Sequence, residues 1–293
     1  MSKAECIWPV GAILGEGPLW REQERSLYFV DIKGKRVHRW QQMDGARKSW
    51  GLSEMVGWLV PCRQSPGLLA GLHSGIAYLE FASPALNLRW LHRLHAPGST
   101  LRLNDAKADA HGNLWFGSMD HVQEGNPVGE LFRLDVRGKI ERFDTGYGVT
   151  NGPAFSPDGK ILYHTDSAAR RIYAFDLDTA GLPSNKRVWL QFEPMQGYPD
   201  GMTTDAEGCV WIAHWDGACV TRWSPQAQLL QTIPVPVARP TSVALGGADF
   251  RTLFVTSARS QSAAAGDPML QGGLFQVQVE VPGLPACAYA GRV

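Results

Sequence analysis

The sequence predicts an all-β chain folded as a six-bladed β-propeller, and three observations carry that expectation. Short aliphatic or aromatic strand centres recur at Leu27-Tyr28, Leu68-Leu69, Leu114-Trp115, Leu162-Tyr163, Val210-Trp211 and Leu253-Phe254, between 41 and 48 residues apart. Turn signals rich in Gly, Pro, Asp and Ser fall between short strands, and helical periodicity is nearly absent. A side chain bearing a metal-binding oxygen also stands ten or eleven residues ahead of four of the six centres. Sandwiches and barrels contain many short strands too, but six similar units of about 45 residues match blades of four strands each.

Taken in order, the first unit holds Glu16 ahead of Leu27, within Gly15-Glu16-Gly17-Pro18. The second offers Gly57 at the equivalent place, a small residue expected to leave room. The third carries Asn104 in Leu101-Arg102-Leu103-Asn104-Asp105. The fourth shows the repeat most plainly: Asn151-Gly152-Pro153-Ala154-Phe155, a Ser156-Pro157-Asp158-Gly159 turn, Ile161-Leu162-Tyr163-His164, and then Arg171-Ile172-Tyr173-Ala174-Phe175. The fifth reads likewise, from Asp200-Gly201-Met202 through the Ala206-Glu207-Gly208 turn to Val210-Trp211-Ile212 and Val220-Thr221-Arg222-Trp223. The sixth has Ser242, again small, at the repeated position. The last strand-like segment, Gly273–Val277, and the N-terminal Cys6-Ile7-Trp8 are expected to share one blade, because an unclosed ring leaves an exposed edge.

A chain of 293 residues with 44% hydrophobic and 19% charged residues buries a sizeable core, and the regular period favours one domain over residues 1–293;. The formal net charge of zero argues against a nucleic-acid or anionic-membrane surface, which needs a basic face;. No apolar run reaches signal-peptide or membrane-span length, so a cytoplasmic location is expected. The five cysteines form no CxxC pair and suit a reducing compartment;. Oligomeric state leaves no trace in the sequence.

In a propeller the first strand of every blade lines the central channel, so Glu16, Asn104, Asn151 and Asp200 are expected to converge. Two carboxylates and two amide carbonyls are hard oxygen ligands, suited to calcium, magnesium or manganese and unlike the Cys and His set of structural zinc. Each residue taken alone is an ordinary turn former; their common register is what points to a site. Register does not distinguish a structural ion from a catalytic one. Strand alternation places Arg102 on the side of Asn104, where it either holds a substrate oxygen or pairs with a carboxylate. Asp105 points the other way. His164 and His214 are expected to be packed residues, the tryptophans to be mostly blade core, and Trp58 and Trp215 are weaker candidates for the channel border. No nucleophile elbow or phosphate-binding loop is present.

Gly15-Glu16-Gly17-Pro18, Arg102-Leu103-Asn104-Asp105, Thr150-Asn151-Gly152-Pro153 and Pro199-Asp200-Gly201-Met202 resemble, in this order, the motifs of the gluconolactonase, regucalcin and luciferin-regenerating enzyme family. The Ser156–Lys160, Tyr163–Ser167 and Ser184–Arg187 segments are most similar to its bacterial sugar lactonases. The resemblance implies a six-bladed propeller with one divalent cation held by Glu16, Asn151 and Asp200. Calcium is expected first, with zinc, manganese, magnesium or iron(II) as alternatives. It also implies substrate contacts from Arg102 and Asn104, and Asp200 as general base. Where some relatives have an acidic substrate contact, this chain offers His121 beside Asp120.

The expected activity is hydrolysis of an aldonolactone, either a pentono- or a hexonolactone, to its aldonic acid, with water activated by Asp200 or by the cation itself. Two alternatives stand beside it: an aryl-ester or phosphotriester hydrolase using the same channel, and a calcium-binding regulatory or scaffold propeller without catalysis. Comparing lactones with p-nitrophenyl esters separates the first, and a metal-loaded protein silent across a lactone panel favours the second.

Overall fold

The computed structural model describes residues 3–82, 85–96, 98–260 and 266–293. Six four-stranded antiparallel sheets form the blades of a ring. Blade one comprises Gly15–Arg21, Ser26–Asp31, Arg36–Gln41 and Arg47–Gly51 from the axis outward. Blades two to five repeat this order, with innermost strands Val56–Cys62, Leu101–Ala108, Thr150–Phe155 and Tyr198–Thr204. Blade six consists of Pro240–Gly246, Thr252–Ser257 and Leu274–Gln278, and Glu5–Trp8 completes its outer edge. Cys6 pairs with Phe275 and Trp8 with Leu274, so both chain ends share a sheet as expected. Each innermost strand touches the next around the ring, and the first meets the sixth.

The core is six slabs, one at every blade interface. Trp20, Leu27 and Phe29 of blade one meet Phe254 and Leu274 of blade six, while Trp115 and Leu131 of blade three meet Leu162 and Phe175 of blade four. A blade is therefore apolar on both faces, which is why Ser26–Asp31, Leu114–Asp120 and Thr252–Ser257 are buried throughout;. The outermost strands, such as Pro183–Gln191, are largely exposed.

Two blades share a buried aspartate that ties their first hairpin. Asp109 accepts from Trp115 Nε1 at 2.9 Å, and Asp205 accepts from Trp211 Nε1 at the same distance. Asp205 also takes Arg222 Nε at 2.7 Å. The C-terminal segment crosses one end of the ring: Tyr289 exchanges backbone hydrogen bonds with Pro61 and Arg63, and Ala290 donates to Gly112. That end keeps only a cavity of about 180 Å³, lined by residues including Asp105, Lys107 and Leu284–Cys287. Among the described residues no helix is long and apolar enough to cross a membrane.

Candidate active site

Every innermost strand breaks its pairing register near the channel. The shifts fall between Glu16 and Leu19, Val56 and Trp58, Leu103 and Ala106, Asn151 and Ala154, Pro199 and Met202, and Pro240 and Ser242. A bulge re-aims a side chain that strict alternation would turn elsewhere. Asn104 and Asp200 lie inside such shifts, and Glu16 and Asn151 are the last paired residues before theirs.

The end of the ring opposite the C-terminal segment opens into a cavity of about 1060 Å³ lined by Glu16, Arg102, Asn104, Asn151 and Asp200. Five of the six residues singled out from the sequence thus share one cavity, all of them buried. They are ordered by a directed run of hydrogen bonds. Arg102 Nη1 donates to Asn104 Oδ1 at 2.5 Å, and Asn104 Nδ2 donates to Asn151 Oδ1 at 3.0 Å and Thr150 O at 2.5 Å. Asn151 Nδ2 donates to Ser167 Oγ at 2.9 Å, and Ser167 Oγ donates to Pro199 O at 2.6 Å. This fixes the amide orientation of Asn151 and reaches the residue before Asp200. Arg102 forms no salt bridge among the described residues, and its buried Nε has no partner.

The electrostatics are those of crowded carboxylates. Burial, then the neighbouring Asp105, pushes Glu16 up to about 8; hydrogen bonding from Gly17 and the charge of Arg102 oppose this. Burial, then Glu16 and Asp105, holds Asp200 well above the usual carboxylate range. Burial lowers Arg102 to about 10, against the pull of Glu124, Glu16 and Asp200. Asp105, raised to about 6 by burial, belongs to the opposite side, where its carboxylate accepts from Ala106 N and is opposed by Lys107.

The donor set suits a hard divalent ion. Among the described residues no three His, Cys, Asp or Glu side chains gather as a metal-binding group. Here the donors are two carboxylates and an amide oxygen held in place, with Arg102 the adjacent cation. Two like charges kept out of water repel each other, and a divalent cation between them removes that penalty.

Several expectations change. Gly57 leaves no room in the channel, because a Cβ there would stand 2.7 Å from the backbone oxygens of Leu103 and Asn104; its smallness admits the neighbouring blade. Ser242 packs against Gly201 and lines the opposite cavity. Trp58 is buried against Phe116, whereas Trp215 does line the large cavity, with Arg239 4.5 Å over its ring. His121 lies to the side of that cavity, its ring edge-on to His73 at 4.9 Å, and the acidic residue that lines the mouth on this loop is Glu124. His164 and His214 are buried, the latter bonded to Gln196 O and Thr221 Oγ1. Ser167, Glu124 and Arg259 also line the cavity without having been singled out. None sits at a repeated offset; the only signal was Ser167 following Asp166 at the end of a buried strand.

Residues 14–259 match the family described as SMP-30/Gluconolactonase/LRE-like region. The chain is 36% identical to a 6-deoxy-6-sulfogluconolactonase of Pseudomonas putida, over 98% of both chains. It is 34% identical to a pentonolactonase of Haloferax volcanii, over 93% of both. A solved calcium-binding protein, regucalcin from Agrobacterium tumefaciens, superposes with a TM-score of 0.90 at 26% identity, covering all of this chain and 98% of that one.

Proposed function

The chain belongs to the SMP-30/gluconolactonase/LRE-like family, and from that premise we propose that it is a hydrolase opening a sugar lactone to its aldonic acid within one propeller unit. The observation that carries this reading is the meeting of Glu16, Asn151, Asp200, Asn104 and Arg102 in one cavity. Relatives of similar length act on lactones by name, and one structural neighbour binds calcium by name.

In this reading Glu16, Asn151 and Asp200 hold one divalent cation, calcium first. When bound, that ion supplies Lewis-acid polarisation of the lactone carbonyl and neutralises the paired carboxylates. Asp200 takes the proton of the attacking water. Arg102, with its free Nε, meets the charge developing on the carbonyl oxygen, while Asn104, whose two Nδ2 hydrogens go to Thr150 O and Asn151 Oδ1, sets the Arg102 guanidinium beside the ring;. Proton return to the ring oxygen completes cleavage of the acyl–oxygen bond. His121, beside the mouth, is kept as an outer substrate contact.

The deciding experiment is a pH-stat assay of calcium-loaded and chelated protein on glucono-, galactono-, xylono- and arabinonolactones and on p-nitrophenyl esters. Calcium-dependent acid release from lactones well above the spontaneous rate is expected. Turnover of esters alone, or of neither class, contradicts the reading.

A further inference from the structure

The mouth of the large cavity holds a cation that the chemistry above does not use. Arg259 follows Thr252–Ser257 and lines the cavity, and its guanidinium has no hydrogen-bond or ion-pair partner among the described residues. The other charges at the mouth are matched. Lys33 pairs with Glu124 at 3.2 Å and Arg239 with Asp216 at 2.7 Å. Arg102, deeper, faces Glu16 and Asp200.

The backbone around Arg259 is held from several directions. Its N–H donates to Ile13 O at 3.3 Å, and its carbonyl accepts from Arg239 Nη1 at 3.5 Å. The next residue, Ser260, donates its N–H to Gln271 Oε1 at 2.8 Å. Gly11 gives the guanidinium passage, since a Cβ there would stand 2.8 Å from Arg259 Nη2. The guanidinium therefore lies beside Gly11, five residues before Glu16, and Arg259 and Glu16 line the same cavity.

We propose that Arg259 binds a negatively charged group on the end of the lactone remote from its carbonyl, so that the preferred substrate is an anionic sugar lactone. This rests on the lactonase reading above. A carboxylate, sulfonate or phosphate accepts two parallel N–H bonds from the planar guanidinium, and an unpaired cation at the mouth also steers an anion inward. A neutral lactone leaves Arg259 hydrated and gains nothing from it.

The test compares kcat/KM of the calcium-loaded protein for glucono-lactone, 6-phosphogluconolactone and 6-deoxy-6-sulfogluconolactone. The anionic compounds are expected to exceed the neutral one at least tenfold, the sulfonate and phosphate arms deciding between those anions. Arg259→Ala reduces that ratio about tenfold or more, chiefly through KM, Arg259→Lys retains part of it, and added salt compresses it. A ratio near one in the native protein, or one unchanged by Arg259→Ala, overturns the inference while leaving neutral-lactone hydrolysis standing. Failure to hydrolyse any of the three overturns the parent reading together with it.

Discussion

Glu16 offers a thermodynamic test of a cation in the channel. Its carboxyl is pushed up to about 8 by burial and by the charge of Asp105. A carboxyl whose affinity for protons is raised on folding stabilises the fold below its unfolded value, and that contribution is lost as pH rises through the folded one. For Glu16 the window runs from 4.5 to about 8. Between pH 5 and pH 8 the loss in chelated protein is about 3–4 kcal/mol, a fall in Tm of roughly 5–7 °C for a chain of this size. A divalent cation selects the ionised form, so the Tm increase on adding calcium should grow across the same window. Glu16→Gln removes the titrating group, and subtracting its profile cancels the histidines that burial keeps neutral, His38, His164 and His214. Scanning calorimetry of both proteins from pH 5 to 8, chelated and calcium-loaded, reads this directly. A difference profile flat with pH, or a calcium shift equal at pH 5 and pH 8, refutes the reasoning.

Asp200→Asn is expected to lower lactone kcat/KM by about 10²–10⁴ in saturating calcium, measured by pH-stat. Ser167→Ala removes the acceptor that orients Asn151 and should weaken calcium binding about 10–100-fold by titration calorimetry, with the fold intact;. Away from the site, Arg222→Leu removes the counter-charge of buried Asp205, which keeps its bonds from Trp211 Nε1, Glu207 N and Cys209 N, and should cost about 1–3 kcal/mol in urea unfolding;.

The blades were legible because each middle strand is buried on both faces, which leaves continuous apolar runs such as Leu27–Val30 at a steady interval. Closure was legible because Cys6-Ile7-Trp8 and Gly273–Val277 each lacked a complete blade. Glu16, Asn104, Asn151 and Asp200 could be found because ring symmetry converts a common offset into proximity. The register shifts that aim them inward were not legible, since a bulge depends on the partner strand as well as on the local residues. Gly57 was misread for a related reason: its constraint comes from the backbone of the next blade. Ser167, Glu124 and Arg259 escaped because they come from strand ends and connections outside the repeat, and His121 was placed by motif spacing where a loop turns it toward His73.

Crystals grown with calcium and measured for anomalous scattering test the central claim most directly. One peak is expected in the channel, with oxygens of Glu16, Asn151 and Asp200 at about 2.3–2.6 Å. A peak bound elsewhere, or an empty channel in protein that still hydrolyses lactones under chelation, would contradict it.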